Sequence, residues 1–450
     1  MGKRIQDHTL MNLTGKVNVL KTFPYALQQV LAMFVTNLVP LWAIVAVSAE
    51  KIPADLALAL QQNGMIIAGI ATLIQSTPIW RIGSGLPIYM GVSFTFLITL
   101  SQISGTYGFP TVMGAVIVGG FLEGLLGLTA KYWKRIISPI VSATVVMGIG
   151  LSLLATATHA FGGGNVEDFG SIPNLVTGTV TVASCILWQV FTRGAKRPLS
   201  ILIGLIAGYI TALCFGIVDF SEMSGIQIIA LPRFLPFKPV FRVDSILSVI
   251  IIYLVSATET IGDTTALAHG ALHRDATSEE ISGSLAIDGF GSMLGGFFGV
   301  PPVTSYSENV GLTIMTGVIN RNVARIGAGL LIFCGLFPPI GYFLQTLPSS
   351  AIGGVLLVVL GQITISGCQM ISEAGFTTRN RLIASLSLAI GIGFTTSSEA
   401  GIWKTFPAIV QSIFAQNVVA VIFVMALLLN LVLPKDMEQE IPGEEHKNGK

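Results

Sequence analysis

Long apolar runs recur along nearly the whole chain and are separated by short polar stretches. A helix needs about 20 apolar residues to cross a bilayer, and runs of this kind predict about 14 spans. The chain is therefore predicted to be an all-α, polytopic membrane protein. Three of the runs are short, so a count of 12 or 13 is the alternative from hydropathy alone. The predicted spans are 24–46, 55–75, 84–101, 111–130, 136–156, 175–191, 198–218, 246–268, 281–299, 303–318, 324–345, 351–370, 381–397 and 407–433.

Composition and charge placement agree with this prediction. The 450 residues are 52% hydrophobic and only 10% charged, outside the range of soluble globular domains. With the N-terminus inside, 19 of the 24 Lys and Arg residues fall on the inner side. Positively charged residues favour the cytoplasmic side of a membrane. The pattern predicts an even number of spans, both termini cytoplasmic, in a plasma membrane (the inner membrane of a bacterium).

Several classes of function find no support in the residues. The net charge is +1, and no basic patch indicates a nucleic-acid partner. The five His and four Cys residues form no metal-binding or redox spacing, so no metal and no cofactor are expected. The predicted spans contain no nucleophile–base pair, so the chain is not expected to be an enzyme.

Two of the predicted spans are interrupted in the same way. Residues 83–96 and 299–312 each contain Gly and Pro and then run through β-favouring residues. They belong to spans three and ten, seven spans apart, so one half of the chain is inverted relative to the other. Paired interrupted segments of this kind are typical of inverted-repeat transporters whose site lies near the midplane. The half-helices that follow the interruptions would direct their positive N-terminal ends toward that site.

Acidic residues within the spans are the candidate chemistry. None has a Lys or Arg in its own span. Glu259 and Asp263 are four residues apart, on one helix face. Their mutual repulsion and burial favour protonation, as a proton-coupled carrier requires. For Asp263, simply bridging helices is an equal alternative. The five residues are Glu123, Glu259, Asp263, Asp288 and Glu308.

The other three acids are interpreted from their neighbours in sequence. Glu308 stands beside Asn309 in the second interruption, where a carboxylate costs several kcal/mol unless it faces a cavity, a ligand or a proton path. It is the predicted centre of the binding site. Asp288 is predicted to organise or couple the site. Packing is the favoured interpretation for Glu123, because glycines surround it (F-L-E-G-L-L-G).

Carboxylate and amide side chains suit a nucleobase. A base presents neighbouring N–H donors and C=O acceptors along a planar edge; a carboxylate accepts from N–H, while an amide both donates and accepts. Phe94, in the first interruption, could stack on a flat ring. Gln29 in the first span is a further candidate, with an interhelical hydrogen bond as the alternative.

These residues resemble the nucleobase–ascorbate transporter family, also called nucleobase:cation symporter family 2. The tenth-span signature, [Q/E/P]-N-x-G-x-x-x-x-T-[R/K/G], is matched from Glu308 to Gly317. T-E-T-I-G-D in span eight, A-I-D-G in span nine, L-Q-Q-V-L-A-M-F in span one and S-F-T-F in span three extend the resemblance over most of the chain.

The resemblance implies a fold of 14 spans in two inverted repeats of seven, with short antiparallel strands in spans three and ten. It also implies a homodimer that moves a core domain against a gate domain and imports a nucleobase with a proton. The implied divisions are a cytoplasmic tail (1–23), core (24–130), gate (131–245), core (246–345), gate (346–433) and a second cytoplasmic tail (434–450).

The resemblance also implies roles for individual residues. Glu259 and Glu308 would hydrogen-bond the base, Phe94 would line the site, and Asn309 would set specificity. Proton coupling and site organisation would fall to Glu259, Asp288, Asp263 and Glu308. The full substrate-binding set is Glu259, Glu308, Asn309, Phe94, Ser307, Ser93, Gln29 and Tyr306.

The identity of the base is less clearly indicated. Asp263 and Asp288 resemble oxopurine carriers, whereas Glu308 resembles uracil permeases at the first signature position. Gln28-Gln29 replaces the common Gln-His pair, and Ser93 stands where xanthine carriers often have Asn. A purine such as xanthine or uric acid is favoured, with uracil as the alternative. An anion carrier of the same fold is more remote, because such carriers usually append a cytoplasmic domain and would need a cationic or donor-rich site.

Overall fold

A computed structural model describes residues 9–133, 138–164, 168–218, 229–339, 346–396, 401–415 and 417–434. Over these residues the chain forms 17 α-helices and two short β-strands. The helices are α1 (Val19–Ala46), α2 (Ala54–Ser76), α3 (Leu97–Tyr107), α4 (Phe109–Leu128), α5 (Ala130–Trp133), α6 (Pro139–Ser152), α7 (Leu154–Phe161), α8 (Ile172–Phe191), α9 (Ser200–Phe215), α10 (Val243–Leu272), α11 (Ser278–Phe297), α12 (Ser307–Thr316), α13 (Arg321–Leu336), α14 (Ser349–Glu373), α15 (Thr378–Thr396), α16 (Ala408–Phe414) and α17 (Val418–Val432). The strands are β1 (Met90–Val92) and β2 (Val303–Ser305).

The helices follow the predicted apolar runs. Seven helical segments in the described part of the chain are long and apolar enough to cross a membrane: Val19–Ala46, Ala54–Ser76, Phe109–Leu128, Pro139–Phe161, Ile172–Phe191, Val243–Leu272 and Ser349–Glu373. The remaining predicted spans coincide, wholly or in part, with helices that are shorter or less apolar. The mostly helical fold is confirmed, whereas the two inverted repeats of seven remain a prediction.

The interrupted spans begin as strands. β1 and β2 pair antiparallel, with Gly91 opposite Thr304, and each strand leads into a short helix, α3 or α12. The antiparallel pair expected in spans three and ten is therefore present. Because the strands run in opposite directions, α3 and α12 begin at opposite ends of this two-stranded ladder.

Two predicted boundaries differ from the structure. The loop predicted at 157–174 begins later, because α7 continues to Phe161. The span predicted at 407–433 is divided into α16 and α17, since the side chain of Asn417 accepts a hydrogen bond from the Ala420 N–H (3.1 Å) and starts a new helix. Hydropathy does not register this cap, because apolar residues continue on both sides of it.

The chain divides into two compact units. One comprises Met1–Tyr132 and Ala155–Val359; the other comprises Trp133–Leu154 and Leu360–Lys450. In the first unit, α4 packs on α11, α2 on α13 and α8 on α9. In the second, α6, α15 and α17 pack on one another. All the predicted site residues lie in the first unit, so one body carries the site. The predicted core and gate domains remain a prediction.

The segment before α10 is extended, because Pro232, Pro236 and Pro239 do not fit the interior of a helix. The Leu235 N–H donates to the Phe297 carbonyl (2.8 Å), and the Val240 N–H donates to that of Pro110 (3.0 Å). The Asn63 side chain donates to the Phe298 carbonyl (2.7 Å). These bonds satisfy backbone groups that have no helical partner. Residues 219–228 of the predicted loop lie outside the described part of the chain.

A capping box starts α11 at an aqueous end, just before the predicted span 281–299. The Thr277 side chain accepts from the Glu280 N–H (3.1 Å), and the Glu280 carboxylate accepts from the Thr277 N–H (2.9 Å). Arg274 forms a two-pronged ion pair with the same carboxylate. Burial opposes ionisation of Glu280, but the hydrogen bonds from Arg274 and Thr277 outweigh it and lower its pKa.

Glu280→Gln is expected to destabilise the protein by up to about 1 kcal/mol, because the amide oxygen can still accept from the Thr277 N–H but the ion pair with the partly exposed Arg274 is lost. Because the folded pKa is lowered, the contribution is complete above the ordinary glutamate pKa of about 4.3. It is lost as the pH falls through the folded value. Thermal melting of the detergent-purified protein at pH 7 measures the effect. The control is Glu279→Gln, which changes an exposed neighbour. Equal melting temperatures for the two variants would contradict the prediction.

Candidate functional site

Backbone hydrogen bonds hold the two interrupted spans together at the centre of the site. Beyond the β1–β2 ladder, the Ser93 N–H donates to the Pro302 carbonyl (2.9 Å), and the Tyr306 N–H donates to that of Tyr89 (2.9 Å). Non-helical backbone at membrane depth must be paired within the protein. The ladder meets this requirement and places the N-terminal turns of α3 and α12 beside it, where the first N–H groups of a helix have no intrahelical acceptor.

Two carboxylates of α10, Glu259 and Asp263, reach opposite ends of the ladder. The Thr95 hydroxyl, at the β1–α3 junction, donates to Glu259 Oε2 (2.8 Å). The Ser305 hydroxyl, at the end of β2, donates to Asp263 Oδ2 (2.6 Å). One turn of α10 therefore spans both strand–helix junctions. Glu259 is half-buried and Asp263 is buried.

Glu308 lies in the first turn of α12, at the second junction. It is half-buried, and no hydrogen bond to it is found among the described residues. The neighbouring Ser307 is exposed, and its side chain lies near the carboxyl of Asp263. The structure thus gathers Asp263, Ser307 and Glu308 at one junction and places Glu259 at the other.

Asp288 lies behind β2 and is fully buried. The hydroxyls of Thr260 and Thr304 both donate to its Oδ2, the latter at 3.2 Å. The two threonine hydroxyls are 3.0 Å apart. Asp288 therefore links α11 to α10 and to β2, a contact pattern that fits its predicted role in organising the site.

The predicted amide ligands are paired with each other. Asn309 Nδ2 donates to Gln29 Oε1 (2.7 Å) and to the Gln29 carbonyl (2.9 Å), and Gln29 Nε2 donates to the Thr313 hydroxyl (3.0 Å). Both amides are buried, and within the described ranges Asn309 Oδ1 has no hydrogen-bond partner. The interhelical hydrogen bond weighed for Gln29 is present. A role for either amide in binding substrate remains a prediction.

Ser93, Phe94 and Tyr306 also lie at the ladder. Phe94 is half-buried at the β1–α3 junction. The Ser93 hydroxyl accepts from the Thr95 N–H (3.2 Å), and the buried Tyr306 hydroxyl donates to the Val92 carbonyl (2.8 Å). These two side chains hold the backbone, and their direct contact with substrate remains a prediction.

Sequence reasoning did not single out several residues that position the site. Thr95 and Ser305 orient the α10 carboxylates, and Thr304 holds Asp288. Asn37 Oδ1 in α1 accepts from the Val92 N–H (2.8 Å), so it supports the outer edge of β1. The available signal was an amide within an apolar stretch of the first span, V-T-N-L-V-P.

The carboxylates of the site are not neutralised by ion pairs. The ion pairs found among the described residues join Arg233 to Asp55, Arg242 to Asp244, His269 to Asp275 and Arg274 to Glu280. In the same part of the chain no three His, Cys, Asp or Glu side chains are grouped to hold a metal ion. The site therefore presents acceptor oxygens and helix N-termini, which suit a ligand that carries N–H donors and C=O acceptors.

Comparisons with known proteins give consistent matches. A family model described as a permease family, Xan_ur_permease, matches residues 20–400. The xanthine permease XanQ of Escherichia coli (strain K12) is 33% identical over 436 residues, which cover 93% of this chain and 92% of XanQ. The uric acid permease PucK of Bacillus subtilis (strain 168) is 32% identical over 388 residues, 84% of this chain and 88% of PucK.

A solved structure shares the fold. That of murine Slc26a9, an anion transporter in the inward-facing state, has a TM-score of 0.63 at 12% identity and covers 96% of this chain and 72% of that one. At this identity the likeness shows the fold alone.

Proposed function

Because the chain belongs to the nucleobase–ascorbate transporter family, we propose that it is a symporter that imports a purine base together with a proton. The chain is a multi-pass membrane permease and not an enzyme. The relatives named as xanthine and uric acid permeases support a purine as the base.

The placement of Glu259 and Glu308 carries the proposal. They stand at opposite ends of the β1–β2 ladder, and neither takes part in an ion pair found among the described residues. Glu259 Oε2 accepts from Thr95, which leaves Oε1 for an N–H of the base. Oxopurines carry N–H groups on both rings, so one planar ligand has donors for both carboxylates.

Backbone groups supply the complementary donors. The first turn of α12, at Ser307 and Glu308, has N–H groups without intrahelical acceptors, and the N-terminal end of a helix carries partial positive charge. These groups suit the C=O oxygens of a base. Phe94 at the β1–α3 junction offers a ring face for stacking.

Protons are the coupling ion that these residues favour. Half-buried and buried carboxyl groups without cationic partners bind a proton more readily than exposed ones. Proton binding to Glu259, Asp263 or Glu308 would remove charge from the site before it crosses the membrane interior. An empty carrier with ionised carboxylates would meet a larger barrier.

Alternating access by movement of the core against the gate is part of the proposal. The packing of α2 on α13 and of α4 on α11 supports two inverted repeats. The helices α2 and α13 correspond to predicted spans 2 and 11, and α4 and α11 correspond to spans 4 and 9. If each span is matched with the span seven positions away, the first pair becomes the second, as two repeats of seven require. We propose the core and gate divisions given by the resemblance, a homodimer, and insertion in the bacterial inner membrane with both termini cytoplasmic.

Uracil is the second candidate substrate, because Glu308 opens the signature as in uracil permeases. An anion is disfavoured despite the fold shared with Slc26a9. The site offers carboxylates, and the Arg residues of the ion pairs found in the described part of the chain contact other acids.

The test is uptake of labelled xanthine, uric acid, guanine, adenine, hypoxanthine and uracil by cells that lack their own carriers, with and without a protonophore. Saturable purine uptake that the protonophore reduces to passive equilibration is expected. An imposed gradient of one pH unit supports about tenfold accumulation per coupled proton. Glu308→Gln is expected to change the substrate profile, whereas the exposed Glu50→Gln is the control. Uracil-only uptake contradicts the purine assignment, and uptake of no base by protein present in the membrane contradicts the substrate class.

A further inference from the structure

Glu123 is a buried acid that the proposed site does not use. It lies in α4 and is 3% exposed. Neither of its carboxyl oxygens has a hydrogen-bond partner in the described part of the chain. An ionised carboxylate in such surroundings costs several kcal/mol. The glycine-rich sequence around it indicates helix packing, but packing alone explains the glycines and not the acid.

Helices α4 and α11 approach closely enough to bring Glu123 to Asp288. A Cβ atom built on Gly289 would lie 2.6 Å from the backbone carbon of Glu123, so only glycine permits this approach. The carboxyl of Asp288 interacts electrostatically with that of Glu123. Its Oδ2 accepts from Thr260 and Thr304, while its buried Oδ1 has no hydrogen-bond partner among the described residues. Glu123 and Asp288, on the facing helices α4 and α11, therefore carry three carboxyl oxygens that have no hydrogen-bond partner in the part of the chain that the structure describes.

The groups that face the pair are neutral or acidic. From α10, Tyr253 interacts with both acids, but its hydroxyl donates to the Val116 carbonyl (3.2 Å). Glu259 and Asp263, also on α10, face Asp288. The third helix packed on α4 is α3, which contains no charged residue. Two neighbouring carboxyls without a cation cannot both be ionised at low cost.

We propose that Glu123 and Asp288 share a proton in a second, buried proton site, connected to the base-binding site through Thr260 and Thr304. One proton on the pair gives a hydrogen-bond donor to its partnerless oxygens and leaves a single negative charge, which the two threonine hydroxyls stabilise. The proton enters from water and returns to water, and one O–H bond forms as another breaks. This inference rests on the proposed symport.

Through Thr260 and Thr304, proton binding at Glu123 and Asp288 would depend on whether a base is bound. Thr304 belongs to β2, and Thr260 follows Glu259 directly on α10. When the charge on Asp288 changes, the hydrogen bonds that Thr260 and Thr304 donate to its carboxyl change too. Because these threonines belong to α10 and β2, the change also affects the backbone that carries the base-binding groups. Base binding and proton binding at the pair would then be linked, and linkage acts equally in both directions.

The experiment compares Glu123→Gln with wild type in proteoliposomes that contain the full chain and xanthine. Glutamine keeps the volume and offers an N–H donor in place of the shared proton, but it cannot exchange a proton. Xanthine counterflow, which needs no net proton movement, is expected to stay within about twofold of wild type. Accumulation driven by one pH unit is expected to fall about tenfold, since each coupled proton supports about that ratio. Its pH dependence is expected to flatten.

Each other result overturns the inference. Unchanged accumulation with an unchanged pH profile means that Glu123 has only a packing role, and loss of counterflow in correctly inserted protein means that it serves binding or folding. Glu123→Asp is the second variant if the glutamine protein fails to fold. It should retain accumulation with a shifted pH profile, and an unshifted profile would contradict the proposal.

The wild-type arm separates this inference from the proposed function. If wild type shows no protonophore-sensitive accumulation of a purine, the proposed function itself fails. If wild type accumulates xanthine and both Glu123 variants match it at every pH, only the second proton site is rejected.

Discussion

Glu259→Gln is expected to lower purine uptake by about 10- to 150-fold, the equivalent of one charge-assisted hydrogen bond of about 1.5–3 kcal/mol. The amide oxygen still accepts from Thr95, so the local structure is preserved. The variant loses the negative charge and the ability to exchange a proton. Initial rates of xanthine uptake over a range of concentrations measure the loss, with the amount in the membrane determined for each variant.

Two controls define what the Glu259 result means. Thr95→Val removes only the hydroxyl that orients the carboxylate and should produce a smaller loss, because Glu259 remains able to bind N–H groups and protons. Glu50→Gln makes the same chemical change at an exposed position and should have no effect. Wild-type uptake by Glu259→Gln would remove this residue from the site.

Gly91→Ala is expected to reduce uptake roughly 5- to 150-fold, because overpacking a tight core costs about 1–3 kcal/mol. A Cβ atom at Gly91 would lie 2.6 Å from Asn37 Oδ1, 2.7 Å from the Tyr306 ring and 2.9 Å from Met33 Cε. Asn37 and Tyr306 hydrogen-bond the backbone of Val92. The extra methyl group therefore displaces the contacts that hold β1 against β2.

A matched glycine provides the control for the ladder. Gly329 lies in α13, where a Cβ atom would meet nothing within 4 Å. Gly329→Ala should leave uptake unchanged and raise the melting temperature slightly, because alanine favours helix by about 1 kcal/mol over glycine. Xanthine uptake and thermal melting of the two variants distinguish local strain from a general sensitivity to glycine replacement. Equal activity of Gly91→Ala and wild type would show that the ladder tolerates the displacement.

Patterns within short stretches of sequence correctly predicted the mostly helical fold and the two interruptions. An apolar run long enough to cross a bilayer has few alternatives to helix, since every backbone group must find a partner within the segment. Gly and Pro followed by β-favouring residues at 83–96 and 299–312 break that helix locally. Such features depend on neighbours along the chain, so they can be read without knowing the tertiary contacts.

The spacing of Glu259 and Asp263 was also readable, because residues four apart share one helix face. The hydrogen-bond partners of these two carboxylates could not be predicted from the sequence. Thr95 is 164 residues from Glu259 in sequence, and Ser305 is 42 residues from Asp263. Only the pairing of β1 with β2 determines which hydroxyl reaches which carboxylate.

Asn309 and Glu123 show most clearly the difference between what the sequence predicts and what the tertiary contacts determine. Asn309 stands out in sequence as a ligand, yet the fold pairs its amide with Gln29, 280 residues away. Glu123 suggests packing because its neighbours along the chain are glycines, yet the close approach of α4 and α11 places it where it interacts electrostatically with Asp288. The sequence by itself determined the membrane class, the broken spans and the acidic residues, because these follow from local hydropathy and helix periodicity. The tertiary structure alone decided which polar groups are paired and which are left without a partner, because burial and hydrogen bonding at each group depend on helices distant in sequence.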